Sequence, residues 1–102
     1  MIIAYTLYQL PSSNEHKFLG YNESTFNGID YVGVYTGTIN SAKDTNLQIC
    51  EKLFEKFNVN PPEHFAGHSM SISDVIRLDN GGEVKYYYCE VVGWKDITKQ
   101  YK

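Results

Sequence analysis

The step Asp79-Asn80-Gly81-Gly82 separates two β-rich runs, Val75 to Leu78 and Val84 to Val92, and constrains the fold more than any other feature of the chain. Both central residues of a tight type I′ turn need positive φ, which Asn and Gly supply at the least steric cost. The Asn80-Gly81 pair therefore predicts a β-hairpin. On its first strand Ile76 and Leu78 face the core, with Val75 and Arg77 on the other side. On its second strand Val84, Tyr86, Tyr88, Glu90 and Val92 share one face, while Lys85, Tyr87, Cys89 and Val91 share the other. Neither face is purely polar, so this strand is expected either to be central or to present one face to a partner.

A helix precedes the hairpin. Thr45 followed by Gln48 fits a capping box, and Asp44 adds negative charge at the helix N-terminus. Leu47, Cys50, Phe54 and Phe57 recur at steps of three and four, widened by Leu53, with Glu51, Lys52, Glu55 and Lys56 opposite. Pro61 and Pro62 stop it, since proline cannot continue the hydrogen-bond ladder. The apolar stripe is core, laid across a sheet.

Further strands are expected at Ile2 to Leu10, broken by Pro11-Ser12-Ser13-Asn14, and at Tyr31 to Ile39. In the second of these Tyr31, Gly33, Tyr35 and Gly37 alternate onto one face. The two glycines fit either close packing or a bulge there, or a shallow groove walled by tyrosines. Glu15 to Gly28 shows no clean period and reads as a long loop with a short helix or strand. Lys95 to Lys102 reads as a polar tail, a short helix or frayed. Together these elements predict one α+β domain over residues 1–102. Its core is a mostly antiparallel sheet of four to five strands packed against one main helix at about residues 45–57, with a C-terminal β-hairpin.

With 42% hydrophobic and 21% charged residues the composition is that of a globular protein. The net charge of −3 and the presence of a single arginine, Arg77, argue against a generic phosphate-binding surface. A mildly acidic chain is better matched to a basic protein partner. Cys50 and Cys89 have neither CxxC spacing nor a histidine at metal-ligand distance, and are expected as free, buried thiols in a reducing cytosol. Met1 to Tyr5 lacks a basic n-region, and no apolar run approaches membrane-spanning length. The expected location is cytoplasmic, without membrane association.

Each candidate for chemistry has a structural account. His64 and His68 share the four-residue spacing of a metal pair on a helix, but Pro61, Pro62 and Gly67 break the helix and no third ligand is spaced to help. Ser69, Ser71 and Ser73 lie outside any G-x-S-x-G elbow. Asp74, at the mouth of an apolar strand, is expected to accept backbone N–H bonds from the Ser71–Ser73 turn, so that Asp74→Ala costs about 1–2 kcal/mol. Gly81-Gly82 lacks the Lys-Ser/Thr that follows a phosphate loop. Of Tyr86, Tyr87 and Tyr88, at most Tyr86 and Tyr88 could stack bases from one face. Trp94 is expected as a core anchor closing the sheet. No catalytic residue, cofactor site or metal site is assigned.

The order of motifs resembles the YodL-like domain family of Firmicutes plasmids, integrative elements and phages. The matching residues are Tyr8-Gln9-Leu10, Val34-Tyr35 with Gly37, Phe54-x-x-Phe57-Asn58 and Pro62-x-x-Phe65-x-Gly67-x-Ser69. The match continues through Ser71-Ile72-Ser73-Asp74-Val75-Ile76-x-Leu78 to Tyr87-Tyr88 and Gly93-Trp94. The resemblance implies a mobile-element setting and carries no catalytic activity. The expectation is a non-enzymatic interaction protein, an anti-defence inhibitor of the anti-CRISPR kind. Its partner would be a host or defence-system protein such as an RNA-guided nuclease, whose guide RNA or DNA binding it disturbs. Asp79, Glu83, Tyr86, Tyr88 and Glu90 are the candidate partner contacts. The alternatives are a small nucleic-acid-binding or processing module using the tyrosine strand with Lys85, Arg77 and His68, and a regulatory domain for plasmid or transposon proteins. The chain is either a monomer or a homodimer formed through an exposed sheet edge.

Overall fold

The structure, a computed structural model, describes residues 2–40, 44–63, 65, 67 and 69–100. Its elements are β1 (Ile2–Gln9), β2 (Val32–Asn40), α1 (Asn46–Val59), β3 (Val75–Asn80), β4 (Glu83–Cys89) and β5 (Trp94–Asp96), with one 3-10 turn at Gly28–Asp30. The strands form a five-stranded sheet in the order β2-β1-β3-β4-β5, antiparallel at every pairing. With α1 packed on one face, the architecture is α+β.

The α1 face holds the main core. Ile3, Tyr5 and Leu7 of β1, Ile76 and Leu78 of β3 and Tyr87 of β4 meet Ile49, Cys50, Leu53 and Phe57 of the helix. Thr45 caps α1 as expected: its Oγ1 accepts from Gln48 N at 3.2 Å, and its own N–H donates to Gln48 Oε1 at 2.8 Å. The predicted stripe differs at one end, where Leu47 is 50% exposed and Ile49 is fully buried. The stripe is centred on Ile49, Leu53 and Phe57, and at about 100° per residue Leu47 falls on its rim. Asn46 points at the sheet instead and donates to Tyr87 Oη at 3.1 Å.

The β3–β4 hairpin forms, with its turn one residue later than expected. Asn80 stays in the ladder opposite Glu83, and Gly81 and Gly82 take the two positive φ values, +64° and +99°. Two adjacent glycines adopt that conformation more cheaply than Asn-Gly, which leaves Asn80 free to extend the strand. The second strand also ends earlier than its β-branched residues predict. Beyond Cys89 the chain reverses, the Glu90 N–H donates to Gly93 O at 3.0 Å, and Gly93 adopts φ +76°. Val91 and Val92 are thereby left 75% and 89% exposed. The expected polar tail contains β5, and Ile97 behind it is fully buried against Val75 and Tyr88. A three-residue strand is too short to show an alternating pattern.

On β2 the expected tyrosine face is broken by a bulge. Leu7 pairs with Tyr35 and Tyr8 with Gly33, so Val34 has no opposite number. Tyr35 consequently packs on the helix side against Phe57, at 5.2 Å between ring centroids, and Tyr31 joins the aromatic cluster on the other face. No tyrosine-walled groove runs along β2. A Cβ on Gly37 would lie 2.7 Å from Tyr5 Oη, so the space beside that glycine is filled by a ring.

Candidate functional site

The segment from Pro11 to Tyr31 has no strand or α-helix of its own, yet it is tied closely to the sheet face opposite α1. Lys17 runs inward and its Nζ donates to Leu10 O at 2.7 Å. Burial lowers the pKa of this ammonium and the Asp74 carboxylate opposes the shift. The Phe18 N–H donates to Ser73 Oγ at 3.0 Å and the Tyr31 hydroxyl to Ser73 O at 2.5 Å, while the Ser73 N–H donates to Cys89 O at 3.0 Å. Ser73 therefore uses its donor, its hydroxyl and its carbonyl to join this segment to the sheet. Asp74, also fully buried, accepts at one carboxylate oxygen from Ser71 N at 2.9 Å and from Gln9 Nε2 at 3.0 Å. The capping role expected for Asp74 is present, with Gln9 as an additional donor. The Ser-x-Ser-Asp run is thus a structural knot.

Above this knot lies a cleft of about 630 Å³. Its walls are aromatic: Tyr21 meets Tyr88 edge to face at 5.2 Å, and Phe26 lies 5.5 Å from Tyr21 and 5.7 Å from Tyr31. Tyr88 holds the floor, its hydroxyl donating to Leu19 O at 2.6 Å. Burial pushes that hydroxyl up to about 12. The Tyr21 hydroxyl is buried without a hydrogen-bond partner, and its pKa is raised first by burial and then by Glu23. The charged lining residues are Glu23 and Asp30, joined by His16 and by the amides of Asn14, Asn22 and Asn27; among the described residues no Lys or Arg lines it, although Lys95 Nζ lies 5.5 Å from the centre of the Tyr21 ring. The sequence anticipates this charge, because no basic residue occurs between Lys17 and Lys43.

The five candidate contact residues do not form one patch. Asp79 and Glu83 sit at the hairpin turn, where Asp79 Oδ1 accepts from Gly82 N at 2.9 Å and Glu83 is exposed. Glu90 lies at the opposite end of β4 and is committed to the fold, accepting from Tyr21 N at 2.6 Å. Tyr88 is 4% exposed and offers almost no surface to a partner. Tyr86 is half-buried on the open sheet face, its ring 6.5 Å from that of Tyr8. Tyr21, Glu23 and Phe26, from the expected loop at Glu15 to Gly28, line a concavity together with Asp30 and with Tyr31, expected as the first residue of the second strand.

Cys50 and Cys89 are free and buried, and burial raises both thiols, Cys89 to about 12. Trp94 is half-buried on β5, edge-on to Phe54 at 6.1 Å and donating to Glu51 Oε1 at 2.8 Å. His64 and His68 lie outside the described residues, and among the described residues no group of three or more His, Cys, Asp or Glu is placed to hold a metal ion. No described helix is long and apolar enough to cross a membrane.

A five-stranded antiparallel sheet with one helix on one face and a tethered aromatic loop on the other defines a small α+β protein with an aromatic cleft on the face opposite the helix. The chain belongs to the YodL-like domain family, whose model matches residues 4–100, nearly the whole chain. No curated protein and no solved structure matches it.

Proposed function

We propose that this protein is a non-enzymatic interaction protein of a mobile genetic element, acting as an anti-defence inhibitor of the anti-CRISPR kind. In this reading it binds an RNA-guided nuclease at a basic surface that otherwise holds guide RNA or DNA, and it docks through the aromatic cleft. The observation that carries the reading is the cleft's charge: Tyr21, Phe26, Tyr31 and Tyr88 form its walls, and its carboxylates, Glu23 and Asp30, face no Lys or Arg in the lining. An arginine or lysine from the partner would lay its stem on Phe26 and Tyr31, since the Tyr21 ring already has Lys95 Nζ at 5.5 Å, and its charge beside the carboxylates. A cation–π contact of this kind contributes about 0.5–2 kcal/mol. Attraction between an acidic protein and a basic channel would also speed association. The mobile-element setting implied by the family resemblance supports the choice of partner, by analogy.

Direct nucleic-acid binding draws less support. Phosphates entering the cleft would meet Glu23 and Asp30. The tyrosine strand gives bases no shared platform, because Tyr88, the residue that would join Tyr86 on one face, is buried. The test is cleavage by a purified type II RNA-guided nuclease, with the protein added before or after guide loading. Inhibition confined to addition before the guide, weakened by salt and by the double variant E23Q/D30N, is expected. Full cleavage in both orders overturns the nuclease reading. Inhibition that E23Q/D30N leaves intact overturns the cleft as the contact.

A further inference from the structure

Three asparagines line the aromatic cleft, and each already uses its side-chain oxygen. Asn14 Oδ1 accepts from His16 N at 2.8 Å, Asn22 Oδ1 from Ser24 N at 3.0 Å and Asn27 Oδ1 from Ile29 N at 3.1 Å. These bonds fix which end of each amide is the oxygen, since a backbone N–H can be met only by an acceptor. What remains for a ligand is the NH2 end, and among the described residues none of the three NH2 groups meets an acceptor. The carboxylates of Glu23 and Asp30 are likewise uncommitted among the described residues. The lining thus presents amide donors that need acceptors and carboxylate acceptors that need donors.

We infer that the occupant of the cleft is an arginine carried on an irregular, extended segment of the partner, held through its backbone carbonyls as well as its side chain. The inference rests on the reading of the cleft as the partner contact. A guanidinium has five N–H donors and no acceptor, so the side chain alone serves the carboxylates and leaves the amides unmet. The acceptors that come with it are its own carbonyl and those of its neighbours. In a helix or a central strand those carbonyls are committed to the backbone ladder, whereas in an extended segment they can accept from Asn14, Asn22 and Asn27. A cleft of about 630 Å³ falls within the range of about 300–1,000 Å³ that encloses small ligands, which leaves room for peptide units beside the side chain. Arginine suits the site better than lysine. Its plane stacks on aromatic rings and pairs with carboxylates through parallel N–H bonds, while an ammonium is a compact, strongly hydrated charge. Lys95 sets the direction of entry: its Nζ lies 5.5 Å from the Tyr21 ring, so a second cation is directed toward Asp30 and Tyr31, its neighbour in the chain.

Amide NMR of the isotopically labelled full chain, titrated with the peptide acetyl-Gly-Gly-Arg-Gly-Gly-amide up to about 10 mM, tests the inference. The expected result is a saturable shift centred on residues 14–31. Binding should be at least about fivefold weaker for the lysine analogue, and at least about fivefold weaker for ethylguanidinium, which has the charge but no carbonyl. N22D/N27D keeps the turn-forming oxygens and deletes the NH2 donors. Its added charge acts on both ligands, so the ratio of peptide to ethylguanidinium affinity should fall at least about threefold. The absence of a saturable shift overturns the inference, as does equal binding of the lysine peptide, equal binding of ethylguanidinium, or an unchanged ratio in a folded N22D/N27D. The nuclease reading fails separately. Cleavage inhibition that E23Q/D30N weakens, with no peptide binding, strikes this inference alone; peptide binding by a chain that leaves cleavage intact strikes the nuclease alone.

Discussion

Phe18 and Ser73 both hold a positive φ, +70° and +86°, and the N–H of the first donates to the hydroxyl of the second across 3.0 Å. For residues other than glycine this region costs about 1–2 kcal/mol each, so the bonds that converge on Ser73 must offset the strain they accompany. The strain orients the surface: it turns the chain so that Phe18 projects outward, its ring 5.0 Å from Lys17 Nζ, while the segment behind it closes over Tyr88. Ser73→Ala should destabilise the fold by about 1–2 kcal/mol through the lost hydrogen bond. Ser73→Gly loses the same hydroxyl but relaxes the backbone, and after glycine's greater unfolded-chain entropy it should remain about 0.5–1 kcal/mol more stable than Ser73→Ala. Urea unfolding of the two variants decides, and equal midpoints would show that residue 73 is unstrained.

Asp74 should matter more than its sequence position indicates. A cap at an exposed strand entry is worth about 1–2 kcal/mol, but Asp74 is fully buried and accepts from both Ser71 N and Gln9 Nε2. Asp74→Ala leaves two interior donors without an acceptor, and bonds to a charged group are worth about 1.5–3 kcal/mol each. The expected loss is about 3 kcal/mol. Gln9→Ala, which removes one of the two donors, should cost less than Asp74→Ala. The reverse order in equilibrium unfolding would place the anchor of this network on Gln9.

The helix and the central hairpin were legible because their signals are local. Thr45 and Gln48 cap within one turn, and the Gly81-Gly82 step closes a hairpin whose register follows from Ile76 and Leu78. A bulge in β2 was one of the readings its glycines allowed, but its place at Val34 was not legible, since it depends on how Leu7 and Tyr8 pair with a strand more than twenty residues away. Trp94 was legible as an anchor closing the sheet, but β5 as a strand was hidden because it is three residues long and its fully buried anchor, Ile97, lies just past its end. The cleft was hidden for a related reason. Tyr21 and Phe26 have no period of their own, and they and Tyr31 are placed by Ser73, Tyr88 and Glu90 from the far half of the chain. What the sequence did carry was the absence of basic residues between Lys17 and Lys43, which foreshadows the cleft's charge.

The two glycines of β2 should respond oppositely to an added methyl. At Gly37 the new Cβ would stand 2.7 Å from Tyr5 Oη and 2.9 Å from Tyr5 Cζ, and Tyr5 is buried among Tyr35 and Phe57 with little room to yield. Gly37→Ala should cost about 1–3 kcal/mol, the usual range for overpacking. At Gly33 the nearest atom is a Tyr8 ring carbon at 3.6 Å, an ordinary contact. Gly33→Ala should therefore be within about 0.5 kcal/mol of the parent. Thermal unfolding of both variants checks the contrast, and a tolerated Gly37→Ala would show that the Tyr5 ring can swing away.

Alkaline pH should loosen the fold through groups held neutral by burial. Tyr88 is pushed up to about 12 chiefly by burial, Cys89 likewise to about 12, and Tyr5, Tyr8, Tyr21 and Tyr87 are raised in the same direction. A raised pKa means that the unfolded chain gives up its proton first. The stability contributed by each group is therefore complete below its ordinary pKa and is lost as pH climbs through the folded value. Unfolding free energy should hold steady to about pH 8, where thiols of the unfolded chain begin to ionise, and fall between about pH 8 and 12. Tyr88→Phe deletes one titrating hydroxyl together with its bond to Leu19 O, so the variant should be less stable at pH 8 and show a shallower alkaline decline. Denaturant unfolding at pH 8, 10 and 11.5, read beside tyrosinate absorbance, measures both effects. A decline as steep in Tyr88→Phe as in the parent would assign the alkaline sensitivity to the other buried tyrosines and the two thiols.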